Sequence, residues 1–114
     1  YGLGVKWAEA VLDKHPEWSV EIIDLRTLLP WDQDMVCESV KKTGKAMVLH
    51  EATMTGGIGG EISAVIHERC WRALDAPVAR TASLDTPVPF AADLEREFMA
   101  NCRLESDLEI LINR

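Results

Sequence analysis

Apolar residues in this chain fall in short runs separated by polar, glycine-bearing or proline-bearing breaks, and the period inside each run tells helix from strand. Val5, Ala8, Val11 and Leu12 recur on one helical face, and His15-Pro16 closes that helix, because the residue before proline avoids the helical region. Tyr1-Gly2-Leu3-Gly4 ahead of it reads as the end of a strand and a tight turn. Residues 19–25 (SVEIIDL) predict a strand, followed by a polar connector, Arg26-Thr27, and then Leu28-Leu29-Pro30-Trp31. Asp32 is a good N-cap for the next helix, and Trp31 before it is placed to pack on Val36 as a hydrophobic staple. Val36 and Val40 share the inner face of that helix. Lys41 and Lys42 sit in its last turn, where the helix dipole favours cations, and Gly44 fits the left-handed position after it.

The second half repeats the alternation. Residues 46–49 predict a strand, and a glycine-rich turn leads from it into a helix that buries Ile58, Ile62, Val65, Ile66, Ala73 and Leu74. Pro77 ends the connection, and residues 78–82 predict another strand. Residues 83–90, with two prolines, read as a loop or edge segment. Asp93 is placed to cap a short helix presenting Leu94 and Phe98. Leu104, Leu108, Leu111 and Ile112 repeat at helical spacing and predict a C-terminal helix packed back on the domain.

Strands rich in Val, Ile and Leu that alternate with helices specify an α/β fold. The expected architecture is three αβα layers with a mostly parallel sheet covered on both faces. Three strands are few for such a sheet. One or two further strands are expected, either preceding Tyr1 or supplied by a partner, so residues 1–114 read as one domain of a larger protein.

Charge narrows the partners. A net charge of −7 argues against nucleic acid and anionic membrane, which both attract basic surfaces, and suits a basic protein partner. No apolar stretch approaches the ~20 residues of a membrane span. Cys37, Cys70 and Cys102 are odd in number, widely spaced and match no zinc pattern; they read as thiols in a reducing compartment.

The stretch from Ala46 to Trp71, AMVLHEATMTGGIGGEISAVIHERCW, holds the densest candidate chemistry. A strand end carrying His50-Glu51, then Gly56, Gly57, Gly59 and Gly60, then a helix, places polar groups at the carboxyl edge of a sheet, where ligands dock in open α/β folds. His50 and Glu51 are neighbours on a strand and point to opposite faces, which favours a polar strand end over an acid/base pair, with the Glu51 carboxylate capping the glycine turn. The glycines lack the lysine and hydroxyl of a phosphate loop and do not match GxGxxG. Gly57 or Gly59 is expected to need positive φ or a close backbone approach. His67-Glu68 reads as a solvated helix face, and Lys41-Lys42-Thr43-Gly44-Lys45 as a helix end. Arg26 and Asp32 flank a proline turn and are expected to pair with each other. Trp7, Trp18, Trp31 and Trp71 are many for this length, and subunit contact competes with core packing as their role. A stand-alone module binding a nucleotide or anion at the glycine turn is the competing reading.

Five blocks carry a family resemblance: EIIDLRTLLPWD (21–32), SVKKTGK (39–45), HEATMTGGIGGEISA (50–64), LDAPVAR (74–80) and DTPVPF (85–90). Together they resemble the transketolase C-terminal-like domain in the β half of 2-oxo acid dehydrogenase E1 components, most of all the 2-oxoisovalerate (branched-chain) enzymes. The resemblance implies a complete E1 that decarboxylates a branched-chain 2-oxo acid or pyruvate on thiamine diphosphate and passes the acyl group to lipoyl groups of the E2 acyltransferase. It also implies that thiamine diphosphate and magnesium are bound by domains other than this one. On that footing no catalytic, cofactor or metal role falls on His15, His50 or His67, and the domain alone is expected to be inactive. Implied partners are the E1 α half, a second β half, and the E2 peripheral-subunit-binding domain, with Asp75 and the terminal carboxylate of Arg114 on the E2 side. Implied locations are the mitochondrial matrix in a eukaryote and the cytoplasm in a bacterium. The tail EFMANCRLESDLEILINR departs from the common pattern.

Overall fold

The computed structural model describes residues 1–114. Its elements, in chain order, are α1 (Leu3–Lys14), α2 (Gln33–Thr43), β1 (Met47–Thr53), α3 (Ile58–Cys70), a single 3₁₀ turn (Trp71–Ala73), β2 (Ala79–Ser83), α4 (Ala92–Phe98) and α5 (Asn101–Ile112). The strands β1 and β2 pair in parallel, Met47 beside Ala79 and Leu49 beside Thr81, with an irregularity before Thr53 meets Ser83.

Alternation along β1 creates the layers. Val48 points into a cluster with Val36, Cys37 and Val40 of α2 and Ile62, Ile66 and Cys70 of α3. Met47 and Leu49 point the other way, against Val11 of α1 and Leu104 and Leu108 of α5. The result is the expected α/β sandwich: α2 and α3 on one face, α1 and α5 on the other. Ile66 and Leu104, both about 2% exposed, are the largest fully buried apolar side chains of the two faces, each worth roughly 1.5–3 kcal/mol.

Local signals set the boundaries of α2. The Asp32 carboxylate accepts from the Met35 N–H at 3.0 Å, and Gly44 closes the helix at φ 76° with its N–H on the Val40 carbonyl. Trp31 is buried in the same cluster as Val36, as a staple requires. The β2 strand lies one residue later than the pattern placed it, and β1 runs on to Thr53.

Other expectations need correction. Leu3 and Gly4 are not a tight turn: the chain is already helical from Leu3, with Gly2 as N-cap at φ 59°. Residues 19–25 carry no regular secondary structure and join no sheet, so two strands pair where three were expected. That segment is held from the side instead: Ile23 and Leu25 pack on the α2/α3 cluster, and Glu21 accepts from Ser39 Oγ at 3.0 Å. Asp93 does not cap α4. Ala91 occupies that position, and Asp93, inside the first turn, pairs with Arg96 one turn on. Among the tryptophans Trp31 is core, Trp7 and Trp18 lean on the α1/α5 cluster, and Trp71 is exposed.

Candidate functional site

Strand β1 and the turn after it settle the His50-Glu51 pair. His50 follows Val48 on the α3 side and is fully buried; Glu51 faces outward and is exposed. The imidazole fills the inside of the glycine turn. A Cβ on Gly57 would lie 2.6 Å from both His50 Cε1 and the Thr53 carbonyl, and a Cβ on Gly59 would lie 2.7 Å from His50 Cδ2 and closer still to Nε2. Both glycines are therefore required by close approach. Neither has positive φ; that conformation falls on Gly56, at 78°. Gly60 has room, its nearest neighbour being Arg80 Nη1 at 3.5 Å.

His50 Nδ1–H donates to the Ala52 carbonyl at 3.0 Å, which leaves Nε2 as a buried nitrogen with no hydrogen-bond partner. Burial, with Arg80 nearby, holds its pKa below the ordinary histidine value, so the ring is neutral and protonated on Nδ1. The electropositive start of α3, next to Nε2, offsets part of the cost of that bare lone pair. The ring thus acts as a wedge between strand and helix, with no acid/base partner.

Glu51 does not cap the turn. Its carbonyl accepts from Ser83 Oγ, tying β1 to β2. The cap is Asp85, whose carboxylate accepts from the Thr55 N–H at 2.8 Å and Thr55 Oγ1 at 2.6 Å; those bonds hold its pKa below the usual carboxylate value. Asp85 lies 30 residues away in the DTPVPF block, and no local pattern connects it to Thr55. The expected Arg26–Asp32 pair is also absent. Arg26, at φ 59°, tips a tight turn and pairs with Asp24 at 3.4 Å, while Asp32 is committed to its helix cap.

A second constellation gathers after α2. Asp75 is exposed; its N–H donates to the Gly44 carbonyl at 2.7 Å, and its carboxylate lies where a Gly44 side chain would otherwise be. The next residue, Lys45, donates from Nζ to the carbonyls of Ile112 at 2.7 Å and Arg114 at 3.0 Å. Asp75 and the chain end, 39 positions apart, are thus anchored on adjacent residues. Lys45 was not foreseen in this role; its place in the helix-ending KKTGK run hid it.

The sequence comparisons agree with this arrangement of elements. Residues 1–103 match the model of the transketolase C-terminal domain. The chain belongs to that family. Relatives include the mitochondrial 2-oxoisovalerate dehydrogenase subunit beta 2 of Arabidopsis thaliana, 54% identical over 71% of this chain and 23% of that protein. The 2-oxoisovalerate dehydrogenase subunit beta of Bacillus subtilis is 38% identical over 89% of this chain and 32% of its own length. A pyruvate dehydrogenase E1 component subunit beta of Rickettsia bellii is 45% identical over 67% and 23%. The chain spans a third or less of these curated relatives.

Thiamine diphosphate, which the family resemblance implies for a whole E1, would find no room at the glycine turn of this domain. The one glycine turn is filled from inside by His50, and no three acidic, histidine or cysteine side chains converge as metal ligands. No helix is long and apolar enough to cross a membrane.

Proposed function

We propose that this domain is part of the β half of a 2-oxo acid dehydrogenase E1 component, acting on a branched-chain 2-oxo acid or pyruvate. Its own task is assembly and docking: it holds the β halves together, meets the α half, and presents an acidic surface to the basic peripheral-subunit-binding domain of E2. Thiamine diphosphate and magnesium belong to other domains of that enzyme. The domain works in the mitochondrial matrix in a eukaryote or the cytoplasm in a bacterium.

The observation that carries the docking role is the pairing of Asp75 and the chain end through Gly44 and Lys45. It sets the exposed Asp75 carboxylate and the Arg114 main chain on neighbouring anchors, on a chain of net charge −7. Exposed charges of this kind steer a basic partner and set its salt dependence. The glycine turn does not support the anion-binding alternative, because its interior is taken by an imidazole.

The test is Asp75→Lys in the assembled E1, with binding to the E2 peripheral-subunit-binding domain followed by calorimetry at low salt. A loss of about tenfold, near 1.4 kcal/mol, is expected, shrinking as salt is added. Unchanged affinity at low salt rejects the docking role.

A further inference from the structure

Strand β2 is bonded on one side only, and its free side is closed at one end and open at the other. Successive residues of a parallel strand turn their main-chain groups to alternate sides. Ala79 donates to the Ala46 carbonyl and Ser83 accepts from the Met54 N–H, so Ala79, Thr81 and Ser83 face β1 while Arg80 and Ala82 face away from it. At the Ala82 end the free side is occupied. The Arg103 guanidinium of α5 donates to the Ala82 carbonyl, and the Leu84 N–H donates to the Phe98 carbonyl at 3.0 Å. One turn further along α5, Asp107 accepts from Thr81 Oγ1 at 2.8 Å. Beyond Asp107 this cover stops. A slot of about 310 Å³ opens between residues 78–81 and the last turns of α5, with no residue of β1 in its walls. Val78 makes no main-chain hydrogen bond, and the outward N–H and C=O of Arg80 have no partner. Ile110, on the same stripe of α5 as Arg103 and Asp107, is 56% exposed beside them. The arginines that form ion pairs in this chain are Arg26, Arg69 and Arg96, which leaves Arg80 and Arg114, at the slot, without a carboxylate.

From this geometry we infer that the open end of β2 is a docking site for an extended segment of a partner protein whose side chains alternate between acidic and apolar. Each feature of the slot selects one property of that segment. Unpaired main-chain groups along a sheet edge are met by backbone in strand form, which supplies the missing donors and acceptors. Side chains of an added strand then point alternately to the two faces of the sheet. On one face they meet Arg80, which is paired in register with Val48 and reaches toward Gly60 of α3. A carboxylate there answers the unpaired guanidinium. On the other face they meet Ile110 of α5, where an apolar side chain covers exposed hydrocarbon. Arg114 at the end of the slot favours a second carboxylate. A second copy of this chain is a poor occupant. Two β2 edges paired about Arg80 would bring like charges directly opposite each other. The sign of the charge also separates this site from Asp75, which asks for a basic partner.

Hydrogen exchange on the full-length protein, with and without a short synthetic peptide of alternating glutamate and valine, reads the Arg80 amide directly. Saturating peptide should slow exchange at Arg80 at least ~10-fold and leave the amides of loop 84–90 unchanged. The same peptide with its bonding main-chain nitrogens methylated should not bind, and a peptide of alternating lysine and valine should bind ~10-fold more weakly at low salt. Arg80→Glu should reverse the preference between the glutamate and lysine peptides, with an unchanged circular dichroism spectrum showing the sheet intact. Three results overturn the inference: no slowing at Arg80 up to the solubility of the glutamate peptide, equal binding of the methylated peptide, or an Arg80 amide already protected in the protein alone by a second copy or another segment. The Asp75 docking test uses a basic partner and a different residue, so the failure of either leaves the other standing.

Discussion

Replacing Gly59 by alanine adds one methyl group at the second residue of α3, and the structure says what it meets. The new Cβ falls 2.7 Å from Cδ2 of His50 and nearer still to Nε2, on a ring that is wholly buried and held by Ala52. The neighbouring change, Gly60→Ala, meets nothing nearer than Arg80 Nη1 at 3.5 Å, which is ordinary contact. Both substitutions gain the same helix preference and the same restriction of the unfolded chain, together about 0.5–1 kcal/mol. Those gains cancel in the comparison, and the difference isolates the collision, ~1–3 kcal/mol for overpacking in a closed site. Gly60→Ala should therefore melt at or slightly above the parent. Gly59→Ala should melt about 4–12 °C below Gly60→Ala, at roughly 4 °C per kcal/mol for a domain of this length. Thermal unfolding followed by circular dichroism measures both. A third arm fixes the cause. In a His50→Ala background the methyl at 59 has space, and the gap between the two alanine variants should fall below about 1 kcal/mol. Equal melting of the two single variants, or an undiminished gap without the imidazole, refutes the wedge.

Asp32→Ala removes the acceptor of the Met35 N–H and should cost about 1 kcal/mol in denaturant unfolding, with Asp32→Asn retaining most of the stability; equal behaviour of the two would show that the cap does not act through its side-chain oxygen. His15 donates both ring nitrogens to carboxylates, Glu105 at 2.6 Å and Glu17 at 3.1 Å, and stacks on Trp18. Its pKa is raised above 6.5, chiefly by Glu105, and that of Glu105 is lowered below 4.5, chiefly by His15. The histidine contribution is complete below pH 6.5 and disappears as pH rises through the raised value; the glutamate contribution is complete above pH 4.5 and disappears as pH falls through the lowered one. The stability difference between the parent and Glu105→Gln should peak between those two values and shrink toward alkaline pH, and a difference that holds steady above neutrality would refute the pairing.

The helices were legible because their signals are local. Asp32, Gly44 and the Leu104–Leu108–Leu111 spacing each act within a few residues of the backbone they shape, so the pattern and the structure coincide there. The strands were legible only in part. SVEIIDL has the composition of a strand, but a strand also needs a neighbour to bond, and that neighbour is not named by the run itself. Asp93 shows the opposite error. A good capping residue stands two positions too late: Ala91 takes the end of α4, and Asp93, inside the first turn, pairs with Arg96.

At the candidate site the limit was reach. Adjacent positions on a strand separate His50 from Glu51, and alternation predicted that; alternation does not say which of the two faces is closed. Burial is decided by α3, whose first glycines permit a ring to stand where side chains would otherwise collide. The glycines were thus read correctly as a close approach, while the group approaching them came from the preceding strand and not from a ligand. The same holds for Asp85 and Lys45, whose partners lie 30 and 67–69 residues away. Such contacts follow from topology: β2 must lie beside β1 before Asp85 can reach Thr55, and α5 must fold back across the sheet before Lys45 can hold the chain end. The docking role proposed for Asp75 depends on the same topology, since sheet order is what brings its loop beside Gly44 and Lys45.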